Sequence, residues 1–170
     1  MIISCTGHRP NKLFGYNLKS IYYKILRLNF EYIIQENKGI HMISGMGIGA
    51  DMIFALAVLK LKKDYPKVNY ILECAVPCLD QDRMWRDDDR RLYWSILALS
   101  DIVTYVSKEV YGPWLMQKRN EYMVNKCDKL ISVYDGSIKG GTFNCIQYAN
   151  KQNKSIILIK PSDITNTYII

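Results

Sequence analysis

The chain has 170 residues and a formal charge of +7, and hydrophobic residues make up 49% of it. That length suits one domain with a sizeable core, and the composition excludes low-complexity and disordered classes. The apolar runs are short and interrupted, which argues against a membrane partner, while the positive balance favours an anionic one.

In chain order, Met1 to Thr6 reads as a strand leading straight from the N-terminus. It lacks the basic segment and long apolar region of a secretory signal, so a cytoplasmic location is expected. Residues 7 to 16 form a loop. Asn17 to Gln35 has helical spacing, with Ile21, Ile25, Leu28 and Tyr32 on one face. Gly39 suits a helix end, and Ile40 to Ser44 is the second strand. Ala50 to Lys63 is a helix stopped before Pro66, and Val68 to Val76 is a strand stopped by Pro77.

Asp80 to Leu99 reads as a third helix with a highly charged start, followed by a strand at Asp101 to Val106. A helix at Pro113 to Asn125, a strand at Lys129 to Tyr134, a helix at Thr142 to Lys151 and a strand at Ser155 to Lys160 complete the alternation. From Pro161 the chain reads as an edge segment or tail. No linker divides the chain. Strands rich in Ile and Val alternating with helices predict one α/β domain: a doubly wound, Rossmann-like, mainly parallel sheet of about six strands with helices on both faces. Ligands of such folds bind beyond the carboxyl ends of the strands. Here those ends are the loops at 7–15, 44–50, 77–82, 107–113 and 135–141.

Four of these loops carry residues suited to an anionic guest. Thr6-Gly7-His8-Arg9-Pro10-Asn11-Lys12 places an arginine and a histidine directly after the first strand, where they can clamp a phosphate or carboxylate. Ser44-Gly45-Met46-Gly47-Ile48-Gly49-Ala50-Asp51 is a glycine turn into a helix, where backbone N–H groups and the helix N-terminus favour negative charge. It superficially matches a dinucleotide fingerprint but follows the second strand, so it does not read as a nicotinamide cofactor site, and no cofactor is expected. Asp51 either stabilises the helix start or holds a ribose hydroxyl.

Gly140-Gly141-Thr142 is a second glycine-rich helix start, with Thr142 as cap or anion ligand and Asp135 earlier in the same loop. Between them, Tyr111 and Trp114 can stack on a base, with Arg119 and Asn120 behind them. Trp114, Met116 and Tyr122 equally suit a core face. Trp85 has the same two readings. The run Arg86-Asp87-Asp88-Asp89-Arg90-Arg91 reads as a solvated helix face, since neighbouring helical residues diverge by about 100°. Five scattered cysteines and two histidines do not form a metal-binding pattern, so reduced, buried thiols and no metal are expected.

The Ser44–Asp51 stretch with the Gly140-Gly141-Thr142 helix start resembles the SLOG superfamily. That group includes the lonely-guy phosphoribohydrolases, the DNA-processing protein A fold and sensor domains for nucleotide-derived signals. Thr6-Gly7-His8-Arg9-Pro10, with Arg119-Asn120-Glu121-Tyr122-Met123 and Tyr134-Asp135-Gly136, is similar to the YpsA-like branch, which includes versions carried by phages. The resemblance runs from about Met1 to Lys160. It implies a Rossmann-like fold, a nucleotide-type ligand at the glycine loops and a homo-oligomer.

One departure bears on chemistry. Lonely-guy enzymes carry a glutamate shortly after the threonine of the second glycine motif, and here Asn144 stands in that place. Asparagine neither stabilises an oxocarbenium-like centre by charge nor acts as a base. The expectation is therefore binding of a nucleotide or nucleotide-derived signal, ADP-ribose-like or cyclic, for which a phage-type branch implies sequestration. The expected ligand contacts are Gly7, His8, Arg9, Ser44, Gly45, Met46, Gly47, Gly49, Asp51, Tyr111, Trp114, Arg119, Asn120, Asp135, Gly140, Gly141, Thr142 and Asn144. A nucleoside-phosphate N-glycosidase, in which Glu73 or Asp135 replaces the missing glutamate, is the alternative. Single-stranded DNA binding is the third reading, disfavoured by the scattered positive charge.

Overall fold

The computed structural model describes residues 1–166. Six strands form one all-parallel sheet: β1 (Ile2–Gly7), β2 (His41–Ser44), β3 (Ile71–Val76), β4 (Ile102–Tyr105), β5 (Lys129–Val133) and β6 (Ser155–Ile159). Their order across the sheet is β4-β3-β2-β1-β5-β6. The chain steps outward from β1 to β4, then returns to the far side of β1. The strand order thus reverses between β1 and β5, the place where open α/β sheets form a ligand crevice.

The helices are α1 (Ile21–Glu36), α2 (Ala50–Asp64), α3 (Asp87–Leu99), α4 (Pro113–Lys126), α5 (Gly141–Lys151) and α6 (Pro161–Asn166). Alternate strand residues feed two cores. Ile3, Cys5, Met42, Leu72, Cys74, Ile131 and Val133 pack with α1, α2 and α3. Ile43, Ala75 and Leu130 face α4 and α5. Helix α2 is apolar nearly all round because it lies buried across the middle of its layer. All five cysteines are free and buried. Burial pushes the Cys74 and Cys145 thiols up to about 12, so both are neutral packing groups.

The doubly wound architecture expected from the sequence is present, with local corrections. Helix α1 begins at Ile21, four residues later than expected, and turns a different stripe to the core. Tyr23, Leu26, Phe30 and Ile34 are buried, while Ile21, Leu28 and Tyr32 are exposed. Both stripes have helical spacing. The buried one is chosen by tertiary partners, Phe30 meeting Phe54 edge-on at 5.3 Å and Tyr23 Oη donating to the Gly15 carbonyl at 2.9 Å. Strand β3 starts at Ile71 rather than Val68, and α3 at Asp87 rather than Asp80. Residues 161–166, expected as an edge segment or tail, form α6 with Ile164 buried. The last four residues of that expectation lie outside the described residues.

Candidate nucleotide-binding cleft

The loops after β1, β2 and β5 meet the start of α4 around a cleft of about 470 Å³, a size typical of small-ligand sites. The site is built on the carboxyl edge of the sheet, beside the reversal between β1 and β5.

The glycine turn after β2 is packed from within. Gly49 has φ +104°, and a Cβ there would come within 2.7 Å of the His8 carbonyl oxygen. A Cβ on Gly45 would strike the Arg119 guanidinium, whose Nη1 donates to the Gly45 carbonyl. Several amides of this segment are already engaged. Met46 N–H donates to Ser44 Oγ at 3.2 Å, Gly47 N–H to Asp51 Oδ2 at 3.2 Å and Ala50 N–H to the His8 carbonyl at 3.4 Å. From outside, Gln81 Nε2 donates to the Met46 carbonyl at 3.2 Å.

Asp51 and Arg119 sit on the floor of the cleft. Asp51 is 7% exposed and Arg119 8%. Arg119 Nη1 lies 3.6 Å from Asp51 Oδ2, and Arg119 Nε donates to Asn120 Oδ1 at 3.1 Å. Burial pushes the Asp51 carboxyl above its ordinary range, opposed by Arg119, the Gly47 N–H and Arg9. Arg9 answers in kind. Desolvation within the cleft lowers its pKa, and the Asp51 charge opposes that. The Arg9 side chain is surrounded by protein yet reached by water, as a group in an open cleft is. Its guanidinium also lies over the Trp85 ring at 5.9 Å.

The turn into α5 differs. Gly140 has φ +107°, and Cβ atoms built on Gly140 and Gly141 meet nothing within 4 Å. Asn120 Nδ2 donates to the Gly141 carbonyl at 3.3 Å and ties this helix start to α4. His8, 6% exposed, puts Nε2 at 2.7 Å from Asp135 Oδ1. Hydrogen bonds from Ser137, and then His8, hold the Asp135 carboxyl well below the usual range. Lys12 Nζ reaches Ser137 Oγ at 3.4 Å, linking the first loop to the fifth.

Of the residues singled out in the sequence, Gly7, His8, Arg9, Gly47, Asp51, Tyr111, Arg119, Asn120, Gly140, Gly141, Thr142 and Asn144 line the cleft. Ser44, Gly45, Met46 and Gly49 lie behind the wall and shape the turn. Asp135 supports His8 rather than lining the cleft. Trp114 is 64% exposed, with its ring against Gly112, and does not line it either. The core face of α4 is Leu115, Met123 and Val124, with Tyr122 packed partly against it, while Trp114 is exposed and Met116 lines the cleft.

Sequence reading missed Lys12, Gln117 and Lys139 as lining residues. Lys12 and Lys139 stand in loops already marked by position, and Gln117 lies one helical turn before Asn120. Glu73 is fully buried away from the cleft. It accepts from Tyr122 Oη at 2.5 Å, Lys126 Nζ at 2.8 Å and Thr104 Oγ1 at 2.9 Å, and lies 2.7 Å from His41 Nε2. That set of partners gives it a structural role. The acidic run at the start of α3 is taken up by ion pairs, Arg86 with Asp89 at 2.9 Å and Arg91 with Asp88 at 2.7 Å. No metal-type cluster of histidine, cysteine and acids occurs among the described residues. No described helix is long and apolar enough to cross a membrane.

A family model described as the YspA SLOG family matches residues 3–164. The SPbeta prophage-derived protein YoqJ of Bacillus subtilis is 35% identical, over 75% of this chain and 79% of that protein. The UPF0398 protein BH1768 of Halalkalibacterium halodurans is 31% identical, over 96% of this chain and 89% of that protein. Among solved structures, DNA processing protein A from Helicobacter pylori, studied for its single-stranded DNA binding mode, has a TM-score of 0.63 at 17% identity. The match covers 93% of this chain and 64% of that one. DNA processing protein A from Streptococcus pneumoniae has a TM-score of 0.58 at 14% identity, covering 92% of this chain and 49% of that one. The chain thus spans less than two thirds of either structure, and at these identities the likeness is one of fold.

Proposed function

The chain belongs to the YspA SLOG family, and from that premise we propose that it binds a nucleotide or nucleotide-derived signalling molecule, ADP-ribose-like or cyclic, in this cleft. The observation that carries the reading is the open helix start at Gly140-Gly141-Thr142, set in a cleft with four cations, Arg9, Lys12, Arg119 and Lys139. The N-terminus of α5 receives the phosphate through its unshielded N–H groups and dipole. The four cations add charge at the rim and floor, and Tyr111 stacks on the base. Asp51 is the one acid among the described residues lining the cleft. Paired carboxylates for acid and base work are therefore missing from that lining, and binding is favoured over N-glycosidic cleavage.

Sequestration of a signalling nucleotide by a self-assembled form of the chain is the biological use that the family resemblance suggests. Native mass spectrometry of protein purified from cells tests the binding. A co-purified nucleotide, lost on unfolding, is the expected result. Protein that carries none, and that also fails to bind nucleoside phosphates added back, contradicts the proposal.

The second reading is single-stranded DNA binding, favoured by the likeness to the Helicobacter pylori protein and the net charge of +7. Affinity that grows with oligonucleotide length and falls steeply with salt marks that case. A ligand held in the cleft as a single nucleotide has no length dependence.

A further inference from the structure

Asp51 has acceptor capacity that the protein does not use. Its Oδ2 accepts the Gly47 N–H at 3.2 Å and lies 3.6 Å from Arg119 Nη1. Oδ1 has no hydrogen-bond partner among the described residues. Arg119 does not complete the pair, because its Nη1 is turned to the Gly45 carbonyl and its Nε to Asn120. A buried carboxylate oxygen without a donor is rare in folded proteins and marks a group that a ligand or water completes. Here the group lines the cleft, on the first turn of α2, beside the cationic rim.

A negatively charged acceptor suits no phosphate. It suits a hydroxyl or amine donor on the same ligand. Building on the phosphate site proposed above, we propose that Asp51 is the sugar-reading residue of the cleft. It accepts a hydrogen bond from the ribose 2-hydroxyl, the group that the 2-deoxy sugar lacks, so the site selects phosphorylated ribose over its deoxy counterpart. The two glycine turns then divide the work. The open turn at Gly140-Gly141 takes phosphate, and the packed turn at Gly45–Gly49 holds Asp51 against the sugar.

Oδ1 is closed off from solvent, but the terminal torsion of an aspartate is broad and two-fold. Rotation of the carboxylate presents an oxygen to the cleft, where the side chain keeps 9% exposure. The same rotation moves both oxygens, so the Gly47 N–H follows one of them while the other turns toward the sugar. Asp135, the other acid suggested by the sequence, cannot serve in the same way. Its Oδ1 meets His8 Nε2 at 2.7 Å and accepts the Ser137 N–H at 2.9 Å, and it stands outside the lining.

The test uses the full chain and three probes that carry no base: ribose 5-phosphate, 2-deoxyribose 5-phosphate and inorganic phosphate. Titrations followed by phosphorus NMR should show ribose 5-phosphate bound about tenfold more tightly than the deoxy sugar, the ratio expected of a hydrogen bond to a charged acceptor. In Asp51→Asn the amide oxygen stays with the Gly47 N–H, and the NH2 group replaces the free acceptor. That ratio should fall below about threefold while inorganic phosphate binds as before. The wild-type ratio needs no variant, so a poorly folded Asp51→Asn does not rescue the idea. Equal binding of both sugars by wild type, or an undiminished ratio in a folded Asp51→Asn, overturns the role of Asp51 and leaves the phosphate site standing. Binding of none of the three probes overturns the phosphate site as well.

Discussion

The two glycine turns look alike in sequence and differ in what surrounds them. The turn into α2 is enclosed: a Cβ on Gly45 would meet the Arg119 guanidinium, one on Gly49 the His8 backbone, and amides of the segment donate inside the protein. The turn into α5 has open space over both Gly140 and Gly141. Glycine in the first turn serves packing, and glycine in the second leaves room for a guest. Two charged groups repeat the lesson. Glu73 is buried with four partners, whereas Asp51 is buried with one oxygen unpartnered. A satisfied buried charge holds structure together, and an unsatisfied one beside a cleft points to a ligand.

Substitutions separate the two members of each pair. Gly49→Ala forces a side chain into a left-handed conformation and against a carbonyl, and should cost about 3 kcal/mol in a urea titration. An unshifted midpoint would mean that the α2 turn is not held as tightly as its contacts imply.

Glu73→Gln should cost about 2 kcal/mol at neutral pH and leave nucleotide affinity unchanged. It should also flatten the acid side of the stability curve. Burial alone would raise the Glu73 carboxyl, but hydrogen bonds from Lys126, Tyr122, Thr104 and His41 outweigh it and hold the pKa below the ordinary value. The folded state then binds fewer protons than the unfolded one. This contribution is complete above the ordinary glutamate range and is lost as pH falls through the lowered value. An unchanged acid limb in the variant would remove Glu73 from that account.

Arg9→Ala should weaken phosphorylated ligands about tenfold, with little effect on the matching nucleosides, measured by calorimetry. Equal losses for both would show that Arg9 does not read phosphate. Trp114→Ala is the smallest change. Its exposed ring lies outside the cleft, so affinity should stay within about twofold, as for a surface site. A tenfold loss would place the base on Trp114 rather than Tyr111.

Much of this was legible in the chain, for identifiable reasons. The six strands announce themselves by Ile and Val runs between glycine and proline stops, and a parallel sheet forces the loops after β1, β2 and β5 to one edge. That geometry explains why residues as distant as Arg9, Asp51, Arg119 and Thr142 reach one cleft. What failed depended on partners far away in sequence. The α1 stripe was decided by Phe54 and Gly15. The start of α3 was delayed because Asp80, Gln81 and Asp82 are drawn into other contacts. Asp80 accepts the Tyr111 N–H at 2.5 Å, Gln81 pins the glycine turn, and Asp82 accepts from Arg90 and Trp94. The difference between the two glycine turns was invisible for the same reason, since both read as glycine-rich helix starts suited to an anion.

The proposed phosphate site at the open start of α5 is tested most directly by Gly141→Asp. An aspartate in the first turn of a helix favours the helix dipole, and the site has room for the side chain, so stability should hold or rise slightly. The same carboxylate would occupy and repel the phosphate position. Phosphorus NMR of an added nucleoside monophosphate should show binding to wild type and at least about a tenfold loss of affinity in the folded variant. Equal affinity in wild type and Gly141→Asp would contradict the phosphate site.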